Sequence, residues 1–318
     1  MTILNKKNNK TILFFIFILI LGIGINKYFS KEDSNSFDAP ISGLGLFVFT
    51  EDNPQMHNQI LDSSILNNYK YKFMNKTGKD LECNLNIFVN GIQINIQDIE
   101  NDSLSNNFKF FLKNNESKVL PIKPILDNLK NGLNIVNLNI ITDNNTNAID
   151  VNEKVWLKST YNYTLEINNN GNELKKDDFI LKQAKNYISI ENLPNENQFI
   201  INNTKEDLEK EIAPKNFIKA KKGSNVSLPI ILGGGNSTEL LLYGTLNNNQ
   251  IIINNSLNLY YNLKENKYTI DNIEIKAPEK EGKYEMVFYG VFNLEKTNFN
   301  DINSIETRAS HRITLIVE

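Results

Sequence analysis

The feature that most constrains this chain is an alternation of apolar and polar residues that restarts in short runs from Tyr69 onward. The runs are YKYKFMN (69–75), NLNIFVN (84–90), IQINIQ (92–97), FKFFLK (108–113), LNIVNLNIIT (133–142) and VWLKSTYNYTLEI (155–167). Successive side chains of a strand point to opposite faces, so period-two polarity describes a strand with one face in a core and one toward water. FKFFLK and LNIVNLNI follow that pattern most closely. Between runs stand turn signals: Asn90-Gly91 joins two alternating runs as a tight hairpin does, and Asn131-Gly132 opens another strand. With no alternation of strand and helix patterns, the prediction is a mainly β chain of antiparallel sandwiches.

A second block, from about Ile188 to Glu318, repeats the scheme with NVSLPIIL, ELLLYGTL, QIIINNSLNLYYNL, YTIDNIEIKAP, KYEMVFYGVFNL and HRITLIVE. Local signals recur in the same order. VLPIKP leads through LDNLKNG into LNIVNLNI, and IEIKAP leads through EKEG into KYEMVFYG. The hairpins IFVNGIQINI and YGTLNNNQIII lie 157 residues apart, and Gly132 and Gly282 lie 150 apart. Near-constant offsets predict a tandem repeat, against the plainer explanation that any two sandwiches share such an edge. The expected domains are 41–167 and 188–318, joined by a linker over 168–187. In ELKKDDFILKQAKNYI the spacing of Ile180, Ala184, Tyr187 and Ile188 predicts a short connecting helix. TKEDLEKEIAP predicts another, with Thr204 as cap, Asp207 in the capping-box position and Pro214 as stop.

Ahead of the blocks, Lys6, Lys7 and Lys10 precede an uncharged apolar run from Thr11 to Ile25. The run is short for a membrane span, which usually takes roughly 17–25 residues, and fits a secretory apolar region. No small-x-small triplet follows in GINKYFSKEDSNSFDAP, so the expectation is an uncleaved signal-anchor over 11–26 after a cytoplasmic segment 1–10. Residues 27–40 then form a stalk ending in Pro40. Lysines ahead of the span place the N-terminus inside and the C-terminal bulk outside. Residues 1–30 hold four lysines and no acid, which leaves 30 basic against 37 acidic residues and a net charge of −7 for the rest. That charge argues against a nucleic-acid partner, which needs a basic face. One Cys excludes an internal disulfide framework, as fits the surface of a low-oxygen or Gram-positive-like bacterium. The richness in Asn reads as the imprint of an AT-rich genome, and N-x-S/T triplets at Asn75, Asn162, Asn225 and Asn236 read as its by-product.

Catalytic signatures are scarce in the sequence. His57 lies in the polar loop TEDNPQMHNQ and His311 beside Arg312, and both read as surface residues. Cys83 reads as a half-buried strand residue, and Trp156 as core or interdomain seam. Gly233-Gly234-Gly235 lacks the Gly-Lys-Ser/Thr ending that grips a nucleotide and reads as a flexible turn. Two weaker signals remain. Asp143, Asn145, Asn147, Asp150 and Glu153 cluster oxygen ligands suited to calcium, although an EF-hand would want Gly at Ala148 and an acid at Lys154. Tyr69 with Tyr71, Tyr161 with Tyr163, and Tyr260 with Tyr261 form aromatic pairs that either stack on sugar rings or fill a sheet face.

The second block has GSNVSLPIIL near its start and APEKEGKYEMVFYGVF followed by SHRITLIVE at its end. It resembles the closing hairpin of immunoglobulin-like or CARDB-like bacterial surface modules, in which a Pro-acidic-Gly-x-Tyr turn leads into the last strands. The resemblance covers about 120 residues and implies a sandwich and an exported setting, with no single activity. The expected architecture is two tandem immunoglobulin-like β-sandwich domains after an N-terminal transmembrane helix. The expected role is a non-catalytic cell-surface or envelope protein, extracellular apart from its anchor, needing no cofactor and binding another envelope or surface protein or cell-wall polymer. The alternative is a carbohydrate-binding or calcium-dependent accessory module of an extracellular glycan-processing system.

Overall fold

The alternating runs pair into five sheets in a computed structural model that describes residues 43–50, 60–62, 68–126, 129, 132–143, 160–169, 181–183, 187–188, 197–201, 204, 206–207, 210, 216–233, 235–294 and 305–318. Ser42–Glu318 form one unit, and the predicted anchor, residues 11–26, lies outside the described residues. Among the described residues no helix is long and apolar enough to cross a membrane.

In the first half, Gly43–Phe49, Lys70–Lys76 and Ser117–Leu120 make an outer sheet. An inner sheet runs Ile60–Asp62, Thr160–Asn169, Gly132–Asp143, Leu81–Val89 and Ile92–Gln93, with Phe108–Leu112 also on Leu81–Val89. Leu46, Tyr71 and Phe73 from the outer sheet meet Leu85, Ile87, Leu138 and Ile140 from the inner one in a single core. Every second residue contributes, as a strand's geometry requires. Ile122–Pro124, Ile96–Asp98 and Ser103–Ser105 add a small third sheet.

The second half repeats the plan. Its outer sheet holds Tyr187–Ile188, Tyr268–Lys276, Asn225–Gly233 and Gln198–Ile201. Its inner sheet runs Leu181–Gln183, Asn258–Asn262, Glu239–Leu246, Gly282–Phe292, Ile313–Val317 and Phe217–Ala220. Asn249–Gln250 extends from Glu239–Leu246, and Glu306–Ala309 from Gly282–Phe292. Leu228, Ile230, Leu240, Leu242, Phe288, Phe292 and Leu315 form its core.

The repeat extends to register. Val89 lies opposite Val136 in the first inner sheet, and Leu246 opposite Met286 in the second, the same pair moved by 157 and 150 positions. Ile60 pairs in parallel with Glu166, and Phe217 with Thr314, so in each half a short early strand runs beside the last one. The two halves are structural repeats of one β-sandwich plan.

Two local expectations meet different outcomes. The capping box is present: Thr204 Oγ1 accepts from the Asp207 N–H at 3.1 Å, while Asp207 Oδ2 accepts from the Thr204 N–H at 3.0 Å. The helix expected around Ile180–Ile188 is replaced, in its described residues, by strands. Leu181–Gln183 adds in parallel to Asn258–Asn262, and Tyr187–Ile188 pairs with Tyr268–Lys276. Open sheet edges offer unpaired N–H and C=O groups, and that offer outweighs a weak helical periodicity. Asparagine is also more than a compositional bias. Among the described residues, every non-glycine with positive φ is Asn or Asp, the types whose short polar side chains tolerate the left-handed region.

Candidate interaction site

Along Gly132–Asp143 and the second half of Leu81–Val89, the polar face of the described strands does not meet water. Phe88, Ile135 and Ile141 turn away from the first core, and with them go Asn86, Asn137 and Asn139, all three fully buried. Against them stand Leu241, Tyr243, Tyr260, Val287, Tyr289 and Val291 of the second inner sheet, in a third apolar cluster. The Phe88 ring lies 4.5 Å from that of Tyr243 and 5.9 Å from that of Tyr289. Burying such a side chain contributes about 1.5–3 kcal/mol, whereas each buried amide must recover its lost hydration by hydrogen bonding. Asn139 Nδ2 donates to the Tyr243 hydroxyl at 3.3 Å, and Asn137 Nδ2 to Thr307 Oγ1 at 3.0 Å. The sandwiches are therefore joined sheet to sheet along a mixed apolar and amide seam.

Hydrogen bonds at one end of the seam come in pairs that interchange when the halves are interchanged. Gln93 donates its N–H to Gln250 Oε1 at 2.7 Å, and Gln250 donates its N–H to Gln93 Oε1 at 2.7 Å. Gln93 Nε2 donates to the Asn248 carbonyl at 2.8 Å, and Gln250 Nε2 to the Gly91 carbonyl at 2.6 Å. A third pair runs from Gln93 Nε2 to the Asn106 carbonyl at 2.8 Å and from Gln250 Nε2 to the Leu257 carbonyl at 2.9 Å. Each glutamine follows a turn with two positive φ values, Asn90-Gly91 at 50° and 76° and Asn247-Asn248 at 48° and 67°, as a type I′ hairpin requires. This end of the seam is thus a self-complementary contact of the isologous kind, made between two repeats of one chain.

At the other end, the step from Ala309 to Ile313 spans one residue more than the facing step from Tyr289 to Met286, a bulge in the last strand. The bulge carries Arg312, 7% exposed, with Nη1 3.0 Å from Glu285 Oε1 and Nη2 donating to the Thr142 carbonyl of the first half at 3.3 Å. His311 sits half-buried in the same bulge.

The seam's chemistry is that of holding. Burial pushes the Tyr243 phenol far above its ordinary value against the smaller opposing effect of the bond from Asn139, and burial does the same to Tyr289. Both stay protonated at neutral pH, and the amides do not titrate. Burial also pushes the Cys83 thiol up to about 12, away from the thiolate a nucleophile needs.

The sequence-predicted candidates fall as follows. Asp143 ends its strand opposite Glu82, while Asn145, Asn147, Asp150 and Glu153 lie outside the described residues. Tyr69 and Tyr71 are buried in the first core and Tyr261 in the second, while Tyr260 lies in the seam, so neither pair forms an exposed platform. Tyr161 and Tyr163 lie in Thr160–Asn169, whose side chains are outside the described residues, as are His57 and Trp156. Gly233 is no flexible turn, since it ends Asn225–Gly233 at φ 108° with the Lys267 carbonyl against it. Sequence reasoning missed the seam glutamines and asparagines. The available signal was the Gln that stands at the same place after each hairpin turn, in NGIQ and NNNQ.

No protein-family model matches the chain, and no curated protein matches it. Among solved structures, the Salmonella enterica SafA pilin in complex with the SafB chaperone is similar at 10% identity, covering 87% of this chain and 98% of that one, with a TM-score of 0.24. The C-terminal domain of the Streptococcus pyogenes antigen I/II-family protein AspA is similar at 8% identity, covering 87% of this chain and 99% of that one, with a TM-score of 0.22. WR4, a C. elegans MSP family member, is similar at 13% identity over 32% of this chain and 93% of its own, with a TM-score of 0.24. At such scores the likenesses assign neither family nor activity.

Proposed function

We propose that this chain is a membrane-anchored, non-catalytic protein of a bacterial envelope, single-pass with its N-terminus cytoplasmic, that presents two sandwich domains outside the cell to bind another surface protein or a wall component. The observation that carries the reading is the seam. By spending their inner faces on each other, the repeats become one fixed unit, whose outer edges and loops remain for a partner. Fixed geometry favours binding, because little ordering entropy is then lost on association. The neutral phenols, amides and protonated thiol of the described core support a non-catalytic role. Burial of Tyr69, Tyr71, Tyr260 and Tyr261 weighs against the carbohydrate-binding alternative, which needs exposed rings.

The test is cross-linking in native cells with the full chain tagged at its C-terminus, against a control bearing only residues 1–40, together with protease treatment of intact cells. A surface-accessible tag and a reproducible envelope partner absent from the control are the expected result. A tag protected in intact cells would overturn the exported orientation. Retention on purified wall polymer with no protein partner would move the wall component to first place.

A further inference from the structure

Beside the paired glutamine bonds the seam departs from equivalence, and at the hairpin turns it does so in a way that has a direction. Interchanging the halves carries Gly91 onto Asn248 and Tyr243 onto Asn86, by the same 157-residue offset that relates Gln93 to Gln250. At one site Gly91 lies beneath Tyr243 and Leu241. A Cβ there would stand 3.2 Å from Tyr243 Cδ1 and 3.0 Å from Leu241 Cδ2, tighter than ordinary contact. At the equivalent site Asn248 carries a full side chain and meets the shorter Asn86, whose Nδ2 lies 3.5 Å from Asn248 Oδ1. Large sits on small at one, and medium on medium at the other.

We propose that Gly91 with Tyr243, and Asn248 with Asn86, form a size key that lets the first repeat mate with the second and prevents the second from mating with a copy of itself. Two second repeats brought together through this seam would press Asn248 of each against Tyr243 of the other, where even a Cβ is crowded. Two first repeats would set Gly91 over Asn86 and leave a void, which close-packed interfaces do not tolerate cheaply. The partner that fits the second repeat's inner face is therefore an amide-studded sheet with a glycine turn, which the chain supplies from its own first half. For neighbouring chains of one surface, such a key keeps pairing within the molecule.

The key is testable in the full chain, because Gly91→Asn recreates the contact that like-with-like pairing would make. Backbone strain is not a competing cause, since Asn248 already occupies the equivalent turn position at φ 67°. The experiment is a double-mutant cycle on thermal unfolding with Gly91→Asn, Tyr243→Asn and both together. Gly91→Asn alone is expected to lower Tm by about 3–10 °C. In the double variant the seam has Asn against Asn at both sites, and its loss should fall clearly short of the sum of the two single losses. A Gly91→Asn chain as stable as the parent, or additive losses in the double variant, overturns the key.

Discussion

Gln93 and Gln250, 157 residues apart, each donate a main-chain N–H to the other's side-chain carbonyl at 2.7 Å. Either side chain removed leaves the partner's N–H without its acceptor in a half-buried setting, at a cost of about 1–3 kcal/mol. Because both losses fall on one network, they should not add. Gln93→Ala and Gln250→Ala are each expected to destabilise the chain, and the double variant to lose about 1 kcal/mol less than the sum. Urea unfolding of the four proteins measures this, and strict additivity would show the paired bonds to be energetically idle.

Much of this fold was legible because strand periodicity and turn chemistry are local. LNIVNLNI, FKFFL and NVSLPIIL all lie in strands, and Asn90-Gly91 closes a type I′ hairpin. The polar phase of that periodicity was misleading. A strand with water on one side and a strand with a second sheet on one side both alternate, and Asn86, Asn137 and Asn139 look the same in either case. What distinguishes them is a partner from the other repeat, such as Tyr243 for Asn139, and sequence distance conceals it. The offset shared by the repeats was visible, but whether two repeats merely follow each other or clasp each other depends on three-dimensional contact. The calcium candidates after Asp143 lie outside the described residues.

Alkaline stability should report the buried phenols. Tyr71, Tyr243, Tyr261 and Tyr289 all have their pKa raised above 10.0, with burial the largest cause in each. A folded pKa above the unfolded one means stability that is complete below the unfolded value and lost as pH climbs toward the folded value. Each such tyrosine should remove roughly 1.4 kcal/mol per pH unit once the pH exceeds 10.0. Titration of tyrosinate absorbance should show one group of phenols ionising normally and a second ionising together with loss of circular dichroism. A single smooth titration with the fold intact would mean that these rings are reached by water.

Arg312 tests how the bulge holds the far end of the seam. Its guanidinium reaches Glu285 and the Thr142 carbonyl at once, a forked reach that a lysine ammonium cannot copy. Arg312→Lys is expected to cost about 1 kcal/mol by chemical unfolding, and Arg312→Ala about 2–3 kcal/mol, since removal takes the buried guanidinium from both the half-buried Glu285 carboxylate and the Thr142 carbonyl. An Arg312→Lys protein with unchanged stability would assign the residue a packing role alone.

Asn75 is the clearest case of an asparagine whose amide is spent on structure. Its Nδ2 donates to the carbonyls of Lys79, Leu112 and Lys113 at 2.7, 3.2 and 3.1 Å, and its Oδ1 accepts from the N–H and hydroxyl of Thr77 at 3.0 and 2.7 Å. One fully buried side chain thereby ties the turn after Lys70–Lys76 to the end of Phe108–Leu112, linking the outer and inner sheets of the first half. Asn75→Ala strips partners from several main-chain groups together and should cost about 2–4 kcal/mol, more than a typical surface change. Asn75→Asp keeps one acceptor but turns a carboxylate oxygen toward those three carbonyls in a buried site, so at neutral pH it should cost at least as much as Asn75→Ala. The same geometry denies the N-K-T triplet at Asn75 to any glycan, because the acceptor nitrogen is engaged and enclosed. Mass spectrometry of the chain produced in a glycosylating host should find Asn75 bare, whereas the exposed Asn225 and Asn236 remain open to modification.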